Sequence, residues 1–264
     1  MKEIILQPDE TLEDLQLNGL CIIQKKKGFR FGMDAVLLAD FAEIKNDDTV
    51  ADFGTGSGIL PILLAGRNKG CFYYLIDIQP ELCELAERNM VMNQVKSKVL
   101  CHDLTKKPDQ ELPPKIDAIV CNPPYSEPNA ALASPDPVKS ISRNQTEDTM
   151  KGFLRTAFSV LRGKGKLYMI YPAPAMFSIM YLLRQYHLEP KRFRLIYPTI
   201  YKAANLVLIE AVKDAKPGLH PQPPLIIRKK GGDLTNELKS IYHMQGSERN
   251  EPDSACEEIC CEKE

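Results

Sequence analysis

A short apolar strand, Thr49–Phe53, runs directly into Gly54-Thr55-Gly56-Ser57-Gly58 and from there into the helical stretch Ile59–Gly66. Glycine at alternate positions lets a strand turn sharply into a helix while the backbone comes close to a ligand. The dinucleotide fingerprint G-x-G-x-x-G needs its third glycine one place later, where this chain has Ile59. Apolar β-rich runs then alternate with helical ones, which predicts an α/β chain: a mostly parallel sheet with helices on both faces.

The expected strands are Thr49–Phe53, Phe72–Ile78, Lys98–Cys101, Ile116–Cys121, Lys166–Tyr171, Arg192–Tyr197 and Leu206–Val212. The expected helices are Ile59–Gly66, Pro80–Met92, Thr149–Leu161 and Ala175–Tyr186. Pro80 suits a first helical turn, Glu81 and Glu84 suit a helix N-terminus, and Leu82, Leu85, Ala86 and Asn89 recur at helical spacing. Glu127–Arg143, with Pro128, Pro135 and Pro137, reads as a long functional or disordered loop that orders when substrate arrives. The chain divides into an N-terminal segment (1–48), a main domain (49–244) and a polar acidic tail (245–264) expected to be disordered.

Three acids follow three successive strands. Asp77 ends the strand after the glycine loop, where a carboxylate can accept from both hydroxyls of an adenosine ribose. Asp52 lies beside the glycines, and Asp103 follows the next strand in Cys101-His102-Asp103-Leu104. The sharpest motif comes after the fourth strand: Asn122-Pro123-Pro124-Tyr125. A planar amide or aryl amine is a poor nucleophile because its lone pair is delocalised. The Asn122 side-chain oxygen and the Pro123 carbonyl can accept from such an NH₂ and favour a pyramidal nitrogen. Paired prolines fix the backbone, and Tyr125 offers a stacking face. No Ser-His-Asp, Walker or metal-ligand spacing accompanies these residues; the tail thiols Cys256, Cys260 and Cys261 lack a clear fourth ligand.

Net charge is −1 overall, but residues 1–137 carry −7, residues 138–244 carry +11 and residues 245–264 carry −5. A basic half beside an acidic one suits a protein that meets a polyanion on one side. The basic clusters are Arg155, Arg162, Lys164 and Lys166; Lys191, Arg192 and Arg194; and Arg228, Lys229 and Lys230. No apolar run approaches the about 18 residues of a membrane span. Acids stand where an export signal would be apolar, so a cytoplasmic protein with reduced thiols is expected. Cys21, Cys71, Cys83, Cys101 and Cys121 read as small apolar packers.

Together the D-x-G-x-G-x-G loop and the N-P-P-Y motif resemble class I S-adenosylmethionine-dependent amino methyltransferases, over about Ile22 to Val212. The segment Gly28-Phe29-Arg30-Phe31-Gly32-Met33-Asp34-Ala35-Val36-Leu37-Leu38-Ala39 is similar to that of bacterial tRNA1(Val) adenine-N6 methyltransferases, which act on the adenine 3′ of the anticodon. The resemblance implies a Rossmann-like fold with seven strands, the last forming an antiparallel hairpin, and S-adenosylmethionine as cofactor. It implies cofactor contacts from Phe31, Met33, Asp34, Asp52, Gly54, Gly56, Gly58, Asp77, Ile78, Asp103, Leu104 and Asn122, and catalysis by Asn122, Pro123, Pro124 and Tyr125. Tyr125 and Arg143 would meet the tRNA substrate. The chain departs from the family at Asn144-Gln145, where His-Glu is usual. Alternatives are a glutamine-N5 enzyme acting on a translation factor, another RNA amine methyltransferase, or an RNA-binding scaffold without turnover. Release-factor enzymes carry a separate N-terminal helical domain, and about 48 residues before the first strand are few for one.

Overall fold

Parallel pairing around Thr49–Phe53 organises the chain. The structure, a computed structural model, describes residues 6–26, 32–108, 110–113, 115–123 and 137–242, and of residues 137–147 only the backbone. It opens with an antiparallel hairpin, β1 (Glu10–Asp14) and β2 (Cys21–Lys25), followed by helix α1 (Met33–Phe41). The alternation then proceeds through β3 (Thr49–Phe53), α2 (Ile59–Gly66), β4 (Phe72–Asp77), α3 (Pro80–Met92), β5 (Ser97–Cys101) and β6 (Ile116–Cys121). Helix α4 (Pro137–Val160), β7 (Leu161–Pro172), α5 (Met176–Gln185), β8 (Leu188–Thr199) and β9 (Leu206–Lys213) come next. Two short strands, β10 (His220–Pro221) and β11 (Leu225–Arg228), and helix α6 (Asn236–Ile241) end the described chain.

Seven strands run in the order β5-β4-β3-β6-β7-β9-β8, with β9 antiparallel to both neighbours and the rest parallel. Strands β10 and β11 both pair with the outer edge of β8, in parallel. Successive residues of the central strands feed opposite faces. Val50, Leu75, Val120, Tyr168 and Ile170 join a core under α1, α2, α3 and α6. Ala51, Phe53, Ile76, Ile119 and Met169 join a second under α4 and α5. Coverage on both faces is why these strands read as continuous apolar runs rather than alternating ones.

The hairpin is absent from the sequence-based strand set, and α3 explains how it docks. Buried Asn89 accepts from Ile23 N (2.8 Å) and donates to Ile23 O (3.0 Å), while Asn93 makes the same pair of bonds to Cys21 at 3.0 and 2.7 Å. The two amides, one turn apart, pair with the free edge of β2 as a strand would. Arg88 adds a two-pronged ion pair to buried Glu10, at 2.7 and 2.8 Å. Lys69 Nζ satisfies the end of α1 by donating to the carbonyls of Ala39, Asp40 and Ala42.

Helix α4 starts at Pro137, twelve residues before the expected Thr149, so 137–143 of the expected loop is helical backbone. Proline is well suited to a first helical turn, where its missing N–H has no partner to lose. Residues 124–136 and the tail from 243 lie outside the described residues. Strands β7 and β8 each run to 12 residues, longer than expected at both ends. Among the described residues no helix is long and apolar enough to cross a membrane. Of the cysteines, Cys83 and Cys121 are buried as expected, but Cys71 and Cys101 are exposed.

Candidate active site at the carboxyl edge

Register alone lines up the motif residues. Phe53 pairs with Ile76 on one side and Cys121 on the other, and Asp77 pairs with Cys101. The residues that leave the sheet therefore stand in the order Asp103, Asp77, Gly54, Asn122. The chain winds outward from β3 in one direction and returns at β6 in the other, so Gly54 and Asn122 flank the point where strand order reverses. Ligands of open α/β sheets bind at such a point.

Gly54, Gly56 and Gly58 all have left-handed φ, at +72°, +57° and +83°. Their surroundings differ. A Cβ on Gly56 would meet nothing within 4 Å, whereas one on Gly58 would lie 2.9 Å from Met90 Cε and 3.2 Å from Leu75 Cδ2. Gly56 thus leaves an open floor, and Gly58 lets α2 press against α3 and β4. The loop is fastened by Gly54 and Thr55 N–H donating to Ile76 O, and by Gly56 N–H donating to Asp77 Oδ2 at 2.9 Å. Asn89 Nδ2 also donates to Ser57 O at 2.8 Å, so one buried amide ties the glycine loop to the hairpin.

Each Asp77 oxygen accepts one backbone N–H, from Gly56 and from Gln79 (3.0 Å), which leaves each a further lone pair. Ile78 beside it is 58% exposed, an apolar surface held open at a polar edge. Asp103 accepts from the amide and hydroxyl of Thr105, and these bonds hold its carboxyl below the ordinary range. Asp52 is the most constrained. It is 1% exposed, its Oδ2 accepts from the Thr55 hydroxyl at 2.7 Å, and its Oδ1 is buried without a hydrogen-bond partner among the described residues. Burial pushes its pKa up to about 7. Open floor, ribose-type acceptors, exposed isoleucine and unpartnered buried acceptor fit an adenosine ligand with a cationic amino-acid arm.

Other expected site residues have different surroundings. Leu104 is 3% exposed and packs in the α4/α5 core, so burial rather than the cleft takes its side chain. Met33 packs against the opposite core, and burial raises the Asp34 carboxyl above its usual range. Both lie in the first turn of α1, opposite the end that leads into β3. Asn122 is half-buried and Pro123 buried at the end of β6. Phe31, Pro124, Tyr125 and the Arg143 side chain lie outside the described residues.

Sequence reasoning missed what α4 does here. Gly152 lies so near the turn after β5 that a Cβ would stand 2.5 Å from Thr105 Cα; Thr156 donates to Leu104 O at 3.1 Å, and Arg155 donates to Thr105 O. Residues 152, 155 and 156 share one helical face, a spacing that could have signalled a clasp. Phe153 of α4 underlies the glycine loop: its ring lies edge-on to Phe53, and a Cβ on Gly54 would stand 3.9 Å from its Cε2. His102, read as an ordinary loop histidine, has Nε2 buried and unpartnered among the described residues.

The basic clusters are also redistributed. Arg162 pairs with Asp117, Lys166 with Glu210, and Arg192 with Glu43 and Glu210 while stacking 4.2 Å from the Phe41 ring centre. Arg162 and Lys166 lie toward the amino-terminal end of the sheet, while Arg192 is level with Glu210, Tyr168 and Val120; all three face acids of the fold. The Arg228–Lys230 cluster stands at the carboxyl edge, since Arg228 pairs with Thr199.

Known proteins show the same architecture. A crystal structure of a predicted O-methyltransferase from Agrobacterium tumefaciens superposes with a TM-score of 0.64 at 22% identity, covering 83% of this chain and 100% of that one. A T. thermophilus 16S rRNA N2 methyltransferase in complex with AdoMet and guanosine gives 0.55 at 17%, covering 77% and 50%. Among curated proteins, the chain is similar to tRNA1(Val) (adenine(37)-N6)-methyltransferases. That of a Flavobacteriaceae bacterium (strain 3519-10) is 29% identical over 74% of this chain and 80% of its own. That of Aliivibrio salmonicida is 27% identical over 88% and 95%. The family model described as methyltransferase small domain matches residues 32–180, more than half the length. The chain belongs to that family and is an S-adenosylmethionine-dependent methyltransferase of the class I fold.

Proposed function

We propose that this chain methylates the exocyclic N6 amine of an adenine in tRNA, next to the anticodon, in the cytoplasm. The observation that carries the reading is Asn122-Pro123 emerging beside Gly54 at the reversal point of the sheet. The curated relatives named as tRNA adenine-N6 methyltransferases support the choice of amine and of RNA.

S-Adenosylmethionine, when bound, supplies an electrophilic methyl on a sulfonium. Asp77 would hold the ribose hydroxyls, Ile78 would border the adenine ring and Asp103 would accept from its amino group. Gly54 and Gly56 keep the backbone open to the cofactor, and Asp52, with Asp34 and Met33, would serve the methionine end. Asn122 Oδ1 and the Pro123 carbonyl would accept from the two N–H bonds of the target amine. Their pull bends the nitrogen out of the plane of the base and aims its lone pair. No strong base is needed before transfer, because the amine sheds its proton afterwards. Tyr125 would stack on the base, which must leave its own stack to arrive, and Arg143 would contact the RNA.

The test is incubation of the full chain with radiolabelled S-adenosylmethionine and either total tRNA or a translation release factor, with nucleoside mass spectrometry of the RNA. N6-methyladenosine in tRNA is expected. Label in protein and none in tRNA would refute the substrate assignment and favour a glutamine-N5 enzyme.

A further inference from the structure

We propose that the carboxyl-edge surface beyond Asn122, on the side away from the glycine loop, seats the RNA strand flanking the reacting nucleotide; this rests on the tRNA reading above. Ala173 N donates to Asn205 O (3.0 Å) and Asn205 N to Ile196 O (3.0 Å), so the end of β7 and the start of β9 lie level with Ile196. Strand β8 runs three residues further along the same edge, to Thr199. Arg228 joins the same edge through its pairing with Thr199. Six side chains leave the edge from these ends: Phe177 in the first turn of α5; Ile200, Tyr201 and Lys202 between β8 and β9; Arg228 and Lys230 at and beyond β11.

All six are exposed, and Phe177 (81%) and Tyr201 (72%) are far more so than packing aromatics. Neither ring belongs to either core. Two open rings interleaved with three cations form the combination that single-stranded nucleic acid needs: π-faces for bases and positive charge for phosphates. One exposed acid, Asp233, shares the turn of Arg228 and Lys230, its backbone carbonyl accepting from Lys229 N. Glu237 is engaged by Arg194, so cations remain in excess on this surface. The other half of the edge carries the acids Asp77 and Asp103, so charge favours entry of the strand from this side. An acidic protein segment would match the cations but gives the exposed rings no planar partner.

The test uses the full chain and a transcript of an anticodon stem-loop with adenine 3′ of the anticodon, with affinity measured across a salt series. Phe177→Ala and Tyr201→Ala are each expected to weaken binding about tenfold. The double variant Lys202→Ala/Lys230→Ala is expected to reduce the slope of log affinity against log salt by about 1–2. Melting temperature and S-adenosylmethionine affinity report that each variant is folded and should not move. If the wild type methylates tRNA and all variants bind the transcript with wild-type affinity and salt slope, the surface assignment falls and the tRNA reading stands. If the wild type methylates only protein and binds the transcript no better than the variants, both fall.

Discussion

The two halves of the carboxyl edge are built in opposite ways. From β5 to β3 the side chains are fastened: Asp77 to Gly56, Asp103 to Thr105, Asp52 to Thr55, with α4 clasping the turn after β5 and Asn89 joining the glycine loop to the hairpin. From β7 to β11 the edge presents exposed rings and cations on turns. A small ligand of fixed shape is held best by groups already ordered before it arrives. A macromolecule contributes its own surface, and many weak, exposed contacts suffice to dock it.

Asn122 stands at the boundary, and its removal gives the largest expected effect. Asn122→Ala should lower the single-turnover rate about 10²–10³-fold, the range for loss of one positioned polar group, while calorimetry shows S-adenosylmethionine affinity within about threefold. A collapse of cofactor affinity instead would place Asn122 wholly in the fastened half. Next is the hairpin anchor. Arg88 holds the Glu10 carboxyl down at about 2 against its ordinary 4.5. Its stabilisation is complete above pH 4.5 and disappears as pH falls from there toward 2. Glu10→Gln should therefore cost up to about 3 kcal/mol at pH 7, with the gap to wild type closing over that acid window in denaturant titrations.

Gly152→Ala forces a methyl against the Thr105 backbone and should cost about 1–3 kcal/mol of stability. It should also weaken S-adenosylmethionine binding, through displacement of Asp103, while RNA affinity holds. Equal loss of both ligands would erase the division between the halves. Last comes the pH dependence set by Asp52. Because its folded pKa is raised, the folded state retains a proton that the unfolded chain releases, and stability declines as pH rises from 3.8 to about 7. Unliganded Asp52→Asn should lack that slope and gain up to about 4 kcal/mol on wild type by about pH 8, the gain shrinking on acidification.

The parallel core and the motif order were legible because apolar strands, glycines and terminal acids mark themselves locally. The hairpin was not. In Glu10–Asp14 the buried position is a glutamate, and in Cys21–Lys25 a glutamine is 2% exposed, so binary pattern points the wrong way. Glu10 is satisfied by Arg88, 78 residues further on, and Gln24 donates to Glu13 across the hairpin. Charge counting failed for a related reason: Arg162 and Arg192 read as free cations until the fold supplies Asp117 and Glu210. The role of Gly152 depended on the approach of a turn 47 residues earlier, a proximity no local pattern carries.

The pairing of β2 with Asn89 and Asn93 has a consequence for synthesis on the ribosome. The partners of Ile23 and Glu10 lie 66 and 78 residues further along the chain. When the first 25 residues emerge, no docking edge yet exists, and Ile22 and Ile23 meet water or a chaperone. The N-terminal segment is made early but settles late, after the third helix leaves the tunnel, so slowing translation between those points should lengthen the interval in which a protease can cut it.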